Sequence, residues 1–332
     1  MKAVFFTTTG PPDVLQYGDQ PDPVVSGNQV LIRTEAVSVN PIDTYVRSGA
    51  ITFDSPQPAF PGCDAAGVIQ QIGPDVDRFD VGQRVWCTNQ GLLGRQGTFA
   101  EMIAVNQDWC FPTPDEVSSD QAAANALVGI TAHLGLFREA RLSAGESILV
   151  IGGTGGVGSM VVQMAKAVGA TVIATAGSDA KCQRLRDLGA DVTINYHQQS
   201  IAEETQKAFP DGVNVFWETR REPDFAVAVD VMSQRGRMVL MAGRDATPLF
   251  PVGPFYVKEC SLHGFAMFKA TAVEMRAAAT EINQWLASGK LKANIGITMP
   301  LCDAAQAHRI QESATLEGAG NLTGKIVLTV NG

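Results

Sequence analysis

The 332-residue chain carries 45% hydrophobic and 18% charged residues and a formal net charge of −9. This composition excludes a disordered chain, allows sizeable cores in about two domains, and argues against nucleic acid or an anionic membrane surface as partner. The opening MKAVFFTTTGPP lacks a signal-peptide core and no apolar run reaches bilayer length, while 6 scattered cysteines without a CxxC pair fit free thiols in a reducing cytoplasm.

In chain order, residues 1 to about 125 read as strand-rich. Apolar, β-branched runs at Met1–Thr7, Gln29–Val39, Gly67–Ile72, Arg84–Thr88 and Glu101–Val105 are separated by Pro and Gly turns. From about Gln121 the texture becomes helical. Strands are then predicted at Ser147–Ile151, Thr171–Ala174, Asp191–Asn195, Val213–Thr219 and Arg237–Ala242. Helices alternate with them at Ser159–Val168, Asp179–Leu188, Ser200–Phe209 and Pro223–Met232. That alternation predicts an α/β fold with βαβ units and a parallel sheet. A strand over Ser261–Phe268 follows a connection carrying Pro248, Pro251 and Pro254. Helices near Thr271–Ser288 and Asp303–Ser313 and a final strand, Lys325–Val330, return to the first module.

The organising stretch runs from Gly145 to Lys166. An apolar strand leads into Gly153-Thr154-Gly155-Gly156-Val157-Gly158, which fits GxGxxG, and helical spacing follows. In this reading Gly153 makes the tight turn, Gly155 lets the backbone approach a pyrophosphate, and Gly158 lets helix and strand pack closely. The helix start then offers unpaired N–H groups and a positive dipole end to phosphate. The second strand ends in Ala176-Gly177-Ser178, with no carboxylate where a ribose 2′-hydroxyl would be bound. Ser178, Lys181 and Tyr196 stand nearby, and a hydroxyl, an ammonium and a phenol suit a 2′-phosphate. NADPH is therefore expected rather than NADH, although Asp179 lies close by.

Gly145-Glu146, Gly155-Gly156-Val157-Gly158, Gln163 and Lys166 resemble the signature of the quinone oxidoreductase/zeta-crystallin family, in the zinc-free branch of the medium-chain dehydrogenase/reductase superfamily. Val39-Asn40-Pro41-Ile42-Asp43-Thr44-Tyr45-Val46-Arg47-Ser48-Gly49, Pro61 to Val68, Gly82 to Val85, Gly97 to Glu101 and Thr323 to Val327 resemble it too. The resemblance implies a GroES-like β-rich catalytic domain over residues 1–124 and 267–332, with a Rossmann NADPH-binding domain over 125–266 inserted. It also implies a cofactor cleft between them and a homodimer or homotetramer. Asn40 and Tyr45 are the implied catalytic residues, and Asp43 and Thr44 line the same pocket. Thr131, Thr219, Gly243, Arg244, Phe265, Ala266, Met267 and Lys325 match further cofactor-contact positions. Two departures stand out. Gly153-Thr154 replace a pair of small residues, and Glu218-Thr219-Arg220-Arg221 is unusually charged for its turn.

No metal is expected. The zinc-binding relatives place a cysteine where Asn40 stands and a His-Glu pair where Cys63-Asp64 stand, and one soft ligand without partners cannot hold zinc. The expected reaction is hydride transfer from NADPH to a quinone, with Asn40 and Tyr45 hydrogen-bonding the oxygen that gains charge. The alternatives are reduction of an activated C=C bond in an enone, alkenal or enoyl thioester, and a crystallin-like or RNA-binding role without catalysis.

Overall fold

The computed structural model describes residues 1–316, 320 and 322–330. Contacts divide the chain into two compact units, Met1–Val128 with Ala270–Gly332, and Gly129–Lys269. One helix, Ser119–His133, runs continuously through the first of these breaks.

In the first unit, β1 (Lys2–Phe5) and β2 (Gln16–Asp19) form a hairpin. The long β3 (Gln29–Val39) leads into helix α1 (Pro41–Ser48). Strands β4 (Asp64–Ile72), β5 (Arg84–Cys87), β6 (Met102–Asn106) and β7 (Cys110–Pro112) follow, then α2 (Ser119–His133). Near-continuous runs of buried residues along β3 and the first half of β4 mark them as central strands, and Val30, Ile32, Val37, Val39, Ala65 and Ile69 enter one core. α1 follows β3 after a single residue, Asn40. Local chemistry makes it: Pro41 fixes the first turn, the Asp43 side chain caps the Asn40 N–H, and Gly49 at φ 83° ends it.

The second unit contains β8 (Ser147–Val150), α3 (Gly156–Ala167), β9 (Thr171–Ala176), α4 (Asp179–Asp187), β10 (Val192–Asn195) and α5 (Ile201–Ala208). It continues with β11 (Val213–Glu218), α6 (Phe225–Val231), β12 (Met232–Leu240), α7 (Val252–Val257) and β13 (Ser261–Gly264). The strands are parallel in the order β10-β9-β8-β11-β12-β13. This is the doubly wound order of a Rossmann sheet, and it reverses direction between β8 and β11. Leu149, Ile173, Ile194, Val213, Phe216 and Met238 bury the sheet in its own core. α3 starts at Gly156, three residues before the expected Ser159, because glycines carry no apolar periodicity to reveal a helix. The Pro-rich connection contains the short α7, and β13 stops at Gly264 rather than Phe268.

The chain closes on the first unit with α8 (Ala272–Ala287), β14 (Ile295–Pro300), α9 (Ala304–Leu316) and β15 (Lys325–Thr329). β15 runs antiparallel to β3, pairing Ile326 with Val39. The two ends of the sequence thus share one sheet, in the order β14-β15-β3-β4-β5-β7 with β6 also on β3.

Candidate active site

The carboxyl ends of β8, β9 and β11 carry the first group of candidate residues. The left-handed residue of the glycine turn is Gly152, at φ 72°, not Gly153. A Cβ at Gly152 would run into Thr219 Oγ1, whose hydroxyl donates to Ile151 O at 2.6 Å. Gly153 instead packs tightly inward: a Cβ there would lie 2.8 Å from Leu185 Cδ2 and 3.0 Å from Ala174 Cβ. The tight turn expected at Gly153 falls one residue earlier because β8 ends at Val150 rather than Ile151. Gly158 has the expected role. A Cβ there would drive into Gly152 O and sit 2.9 Å from Gly153 Cα, so only glycine permits this crossing of helix and turn.

Gly155 is the N-cap of α3 and no side chain caps it. The amides of Gly156, Val157 and Gly158 are first-turn donors with no intrahelical acceptor, and the dipole adds positive potential there. At the end of β9, Ser178 caps α4 by accepting from Lys181 N at 3.3 Å. Tyr196 is 48% exposed and lays its hydroxyl over Gly177, where a Cβ would lie 2.5 Å from Oη. Asp179, the neighbouring carboxylate, accepts from Asn195 Nδ2 at 2.7 Å. It is thereby tied to the end of the neighbouring strand β10.

Phe265 stacks edge-on against Trp217 at 6.5 Å, with the Arg138 guanidinium 5.7 Å from its ring centre. Gly243, at φ 81°, sits under Arg221 O, and the Arg244 side chain pairs with Asp245 at 3.0 Å. Ala266 is half-buried, while the side chains of Thr131 and Met267 are buried.

The first unit holds a second group of candidate residues. Asn40 is 0% exposed. Its Nδ2 donates to Asp64 Oδ2 at 2.8 Å and to Ser38 O at 3.4 Å, and its Oδ1 accepts from the Lys325 ammonium. Both hydrogens of the Asn40 amide are thus directed to acceptors within the first unit. Lys325 is buried as well and donates to Val39 O at 2.7 Å. Asp43 accepts from Asn40 N at 2.8 Å and Thr44 Oγ1 donates to Pro41 O at 2.7 Å, both buried within α1 and its cap. Of the four α1 candidates only Tyr45 is partly exposed. The loop after α1, tied back by Ile51 N to Tyr45 O at 3.1 Å, leads to a hollow of about 410 Å³ lined by Thr52, Phe53, Asp54, Leu93 and Gly94.

Asp64 is the hub that sequence reasoning missed. Besides Asn40 it accepts from Ser38 Oγ at 3.0 Å and Thr88 Oγ1 at 2.7 Å. Burial raises its pKa, and the Lys325 charge opposes that rise. Burial lowers the Lys325 pKa, with Asp64 and Asp43 acting the other way. Burial raises the Asp43 carboxyl from 3.8 to about 7, the Cys63 thiol being its hydrogen-bond neighbour. Burial, then the charges of Asp43 and Asp64, push the Cys63 thiol well above 9.0. Among the described residues no group of three or more His, Cys, Asp or Glu side chains is arranged to hold a metal ion. The donor set does not fit zinc.

The Asp43 shift sets a pH dependence. Between about pH 4 and 7 the folded chain keeps a proton that the unfolded chain has released, so this group's stabilisation is complete below about 4 and declines as pH rises through 7. Asp43→Asn removes that slope. Urea titrations of both proteins at pH 5 and pH 8 are expected to show a wild-type advantage at pH 5 that shrinks at pH 8. An unchanged gap would mean the carboxyl is already ionised at pH 5.

Residues 26–115 match the family model described as alcohol dehydrogenase GroES-like domain, and residues 156–284 match the one described as zinc-binding dehydrogenase. The chain is 33% identical over 332 residues to the quinone oxidoreductase of Mus musculus, covering 99% of this chain and 97% of that one. Among solved structures, an NAD-dependent alcohol dehydrogenase superposes with a TM-score of 0.90 at 28% identity over 100% of both chains. The Escherichia coli quinone oxidoreductase complexed with NADPH superposes with a TM-score of 0.84 at 27% identity, over 99% of this chain and 100% of that one. With the glycine turn, the Rossmann strand order and the GroES-like match agreeing, the chain belongs to the zinc-free quinone oxidoreductase group of the medium-chain dehydrogenase/reductase superfamily.

Proposed function

We propose that this protein is an NADPH-dependent quinone reductase. The observation that carries the coenzyme half is the uncapped start of α3 behind Gly152, beside a β9 end with no uncommitted carboxylate. Relatives of this group are quinone oxidoreductases, and the E. coli structure contains NADPH. When bound, the coenzyme supplies a hydride at C4. The α3 amides hold its pyrophosphate, while Ser178, Lys181 and Tyr196 receive the 2′-phosphate. On the acceptor side the Tyr45 hydroxyl hydrogen-bonds the oxygen that gains charge, and that oxygen takes its proton from Tyr45 or water. The Lys325–Asn40–Asp64 network fixes the start of α1, and so where Tyr45 is carried.

NADPH oxidation with benzoquinone and naphthoquinone tests the reading; hydroquinone is the expected product. A saturated carbonyl from an enone, with no quinone turnover, would assign the chain to C=C reduction instead. Lys181→Ala is expected to raise KM for NADPH about tenfold and leave KM for NADH nearly unchanged, since it removes one charge-assisted phosphate contact. Equal effects on both coenzymes would show that Lys181 does not read the phosphate.

We also propose a homo-oligomer built through the free edge of β13, where Leu262 is exposed and α7 adds exposed Val252, Tyr256 and Val257. Light scattering is expected to give a dimer or tetramer for the wild type and a monomer for Leu262→Arg; an unchanged mass would place the interface elsewhere.

A further inference from the structure

The turn after β11 departs from the family pattern by its charge, and it stands at an informative place. β11 ends at Glu218 beside β8, where the strand order reverses, so the turn walls the crevice in which open parallel sheets bind ligands. Thr219 closes against the glycine turn through its bond to Ile151 O. Glu218, 1% exposed, is a carboxylate too deep to stand alone. Arg220 is its partner: Nε lies 3.0 and 3.2 Å from the two carboxylate oxygens and Nη2 lies 2.8 Å from one of them, while the Arg220 backbone N–H donates at 2.8 Å.

These bonds fix the guanidinium by one edge. Its Nη1 makes no hydrogen bond to any described residue, and the side chain is 36% exposed. The phenol of Tyr196, which covers Gly177, lies within electrostatic range of it. A braced cation with an unused donor edge therefore shares a rim with a residue already placed at the 2′-phosphate end. Because Glu218 neutralises the pair, attraction at this point comes from directed N–H donors more than from net charge.

We propose that Arg220, held by Glu218, is a coenzyme-specificity residue that donates from Nη1 to the 2′-phosphate of NADPH alongside Tyr196 and Lys181. The inference rests on the NADPH reading above. Its test is calorimetric titration of the full chain with adenosine 2′,5′-bisphosphate and with 5′-AMP, which lacks the 2′-phosphate. Arg220→Met is expected to weaken the bisphosphate at least about tenfold while changing 5′-AMP less than about twofold. Arg220→Lys, which keeps the charge but not the fork, is expected to fall between. Should Arg220→Met leave Glu218 unpaired and fail to fold, Glu218→Gln with Arg220→Met removes both charges and is expected to show the same selective loss. Loss on both probes alike, or no loss on the bisphosphate, overturns the proposal while the NADPH reading stands. A wild type that binds both probes equally overturns the NADPH reading and this inference with it.

Discussion

Gly158→Ala is expected to abolish measurable NADPH binding and to lower stability by about 3 kcal/mol or more, an overpacking cost at the upper end of that class. The added methyl group meets Gly152 O and Gly153 Cα, both backbone atoms, so no side-chain rotation relieves the clash. Either the turn moves, displacing the α3 amides, or the helix start withdraws from β8. Both destroy the phosphate cradle. The control is Gly155→Ala, because a Cβ there meets only Gly152 O at 3.4 Å. It is expected to fold normally and lose affinity only through closer approach to the pyrophosphate. Fluorescence titration with NADPH and a thermal melt of both variants check this. Comparable melting temperatures for Gly158→Ala and the wild type would show that helix and turn are not packed as described.

The second large effect is expected from Lys325→Met. The ammonium is the counter-charge of a fully buried carboxylate, Asp64, and removing one partner of such a pair costs about 3–5 kcal/mol. Ser38, Thr88 and Asn40 would still donate to Asp64, but the Oδ1 of Asn40 and the carbonyl of Val39 would lose their donor. Loss of activity is expected to follow loss of fold, and KM for NADPH in the fraction still folded is expected to stay close to wild type. Adding Asp64→Asn relieves the unpaired charge, so the double variant is expected to lose less than the sum of the singles. Strict additivity in urea denaturation would mean that the two groups do not interact. A large rise in KM for NADPH in folded Lys325→Met would return Lys325 to the coenzyme.

The two α1 residues expected to do chemistry show how sequence and structure divide the work. Asn40 and Tyr45 lie in one contiguous motif, which spans the place where β3 gives way to α1. Nothing in it says which side chain points inward. That depends on Lys325, 285 residues away in sequence, on Asp64 at the start of β4 and on Thr88 just after β5. The Glu218–Arg220 pair was visible as an unusual run of charge, but its meaning depended on the burial of Glu218 and on Tyr196 reaching over Gly177 from another strand.

By itself the sequence determined the features with short-range causes. The β–α alternation follows from periodicities of two and 3.6, the strand–glycine turn–helix order from a run of glycines between them, and the coenzyme preference from a carboxylate missing at one strand end. Only the tertiary structure decided that Gly152 makes the left-handed turn, that Asn40 and Lys325 face inward, and that Arg220 keeps one donor edge free. The physical reason is that burial and hydrogen bonding of a polar side chain depend on partners brought together by sheet order, which no local window of residues contains.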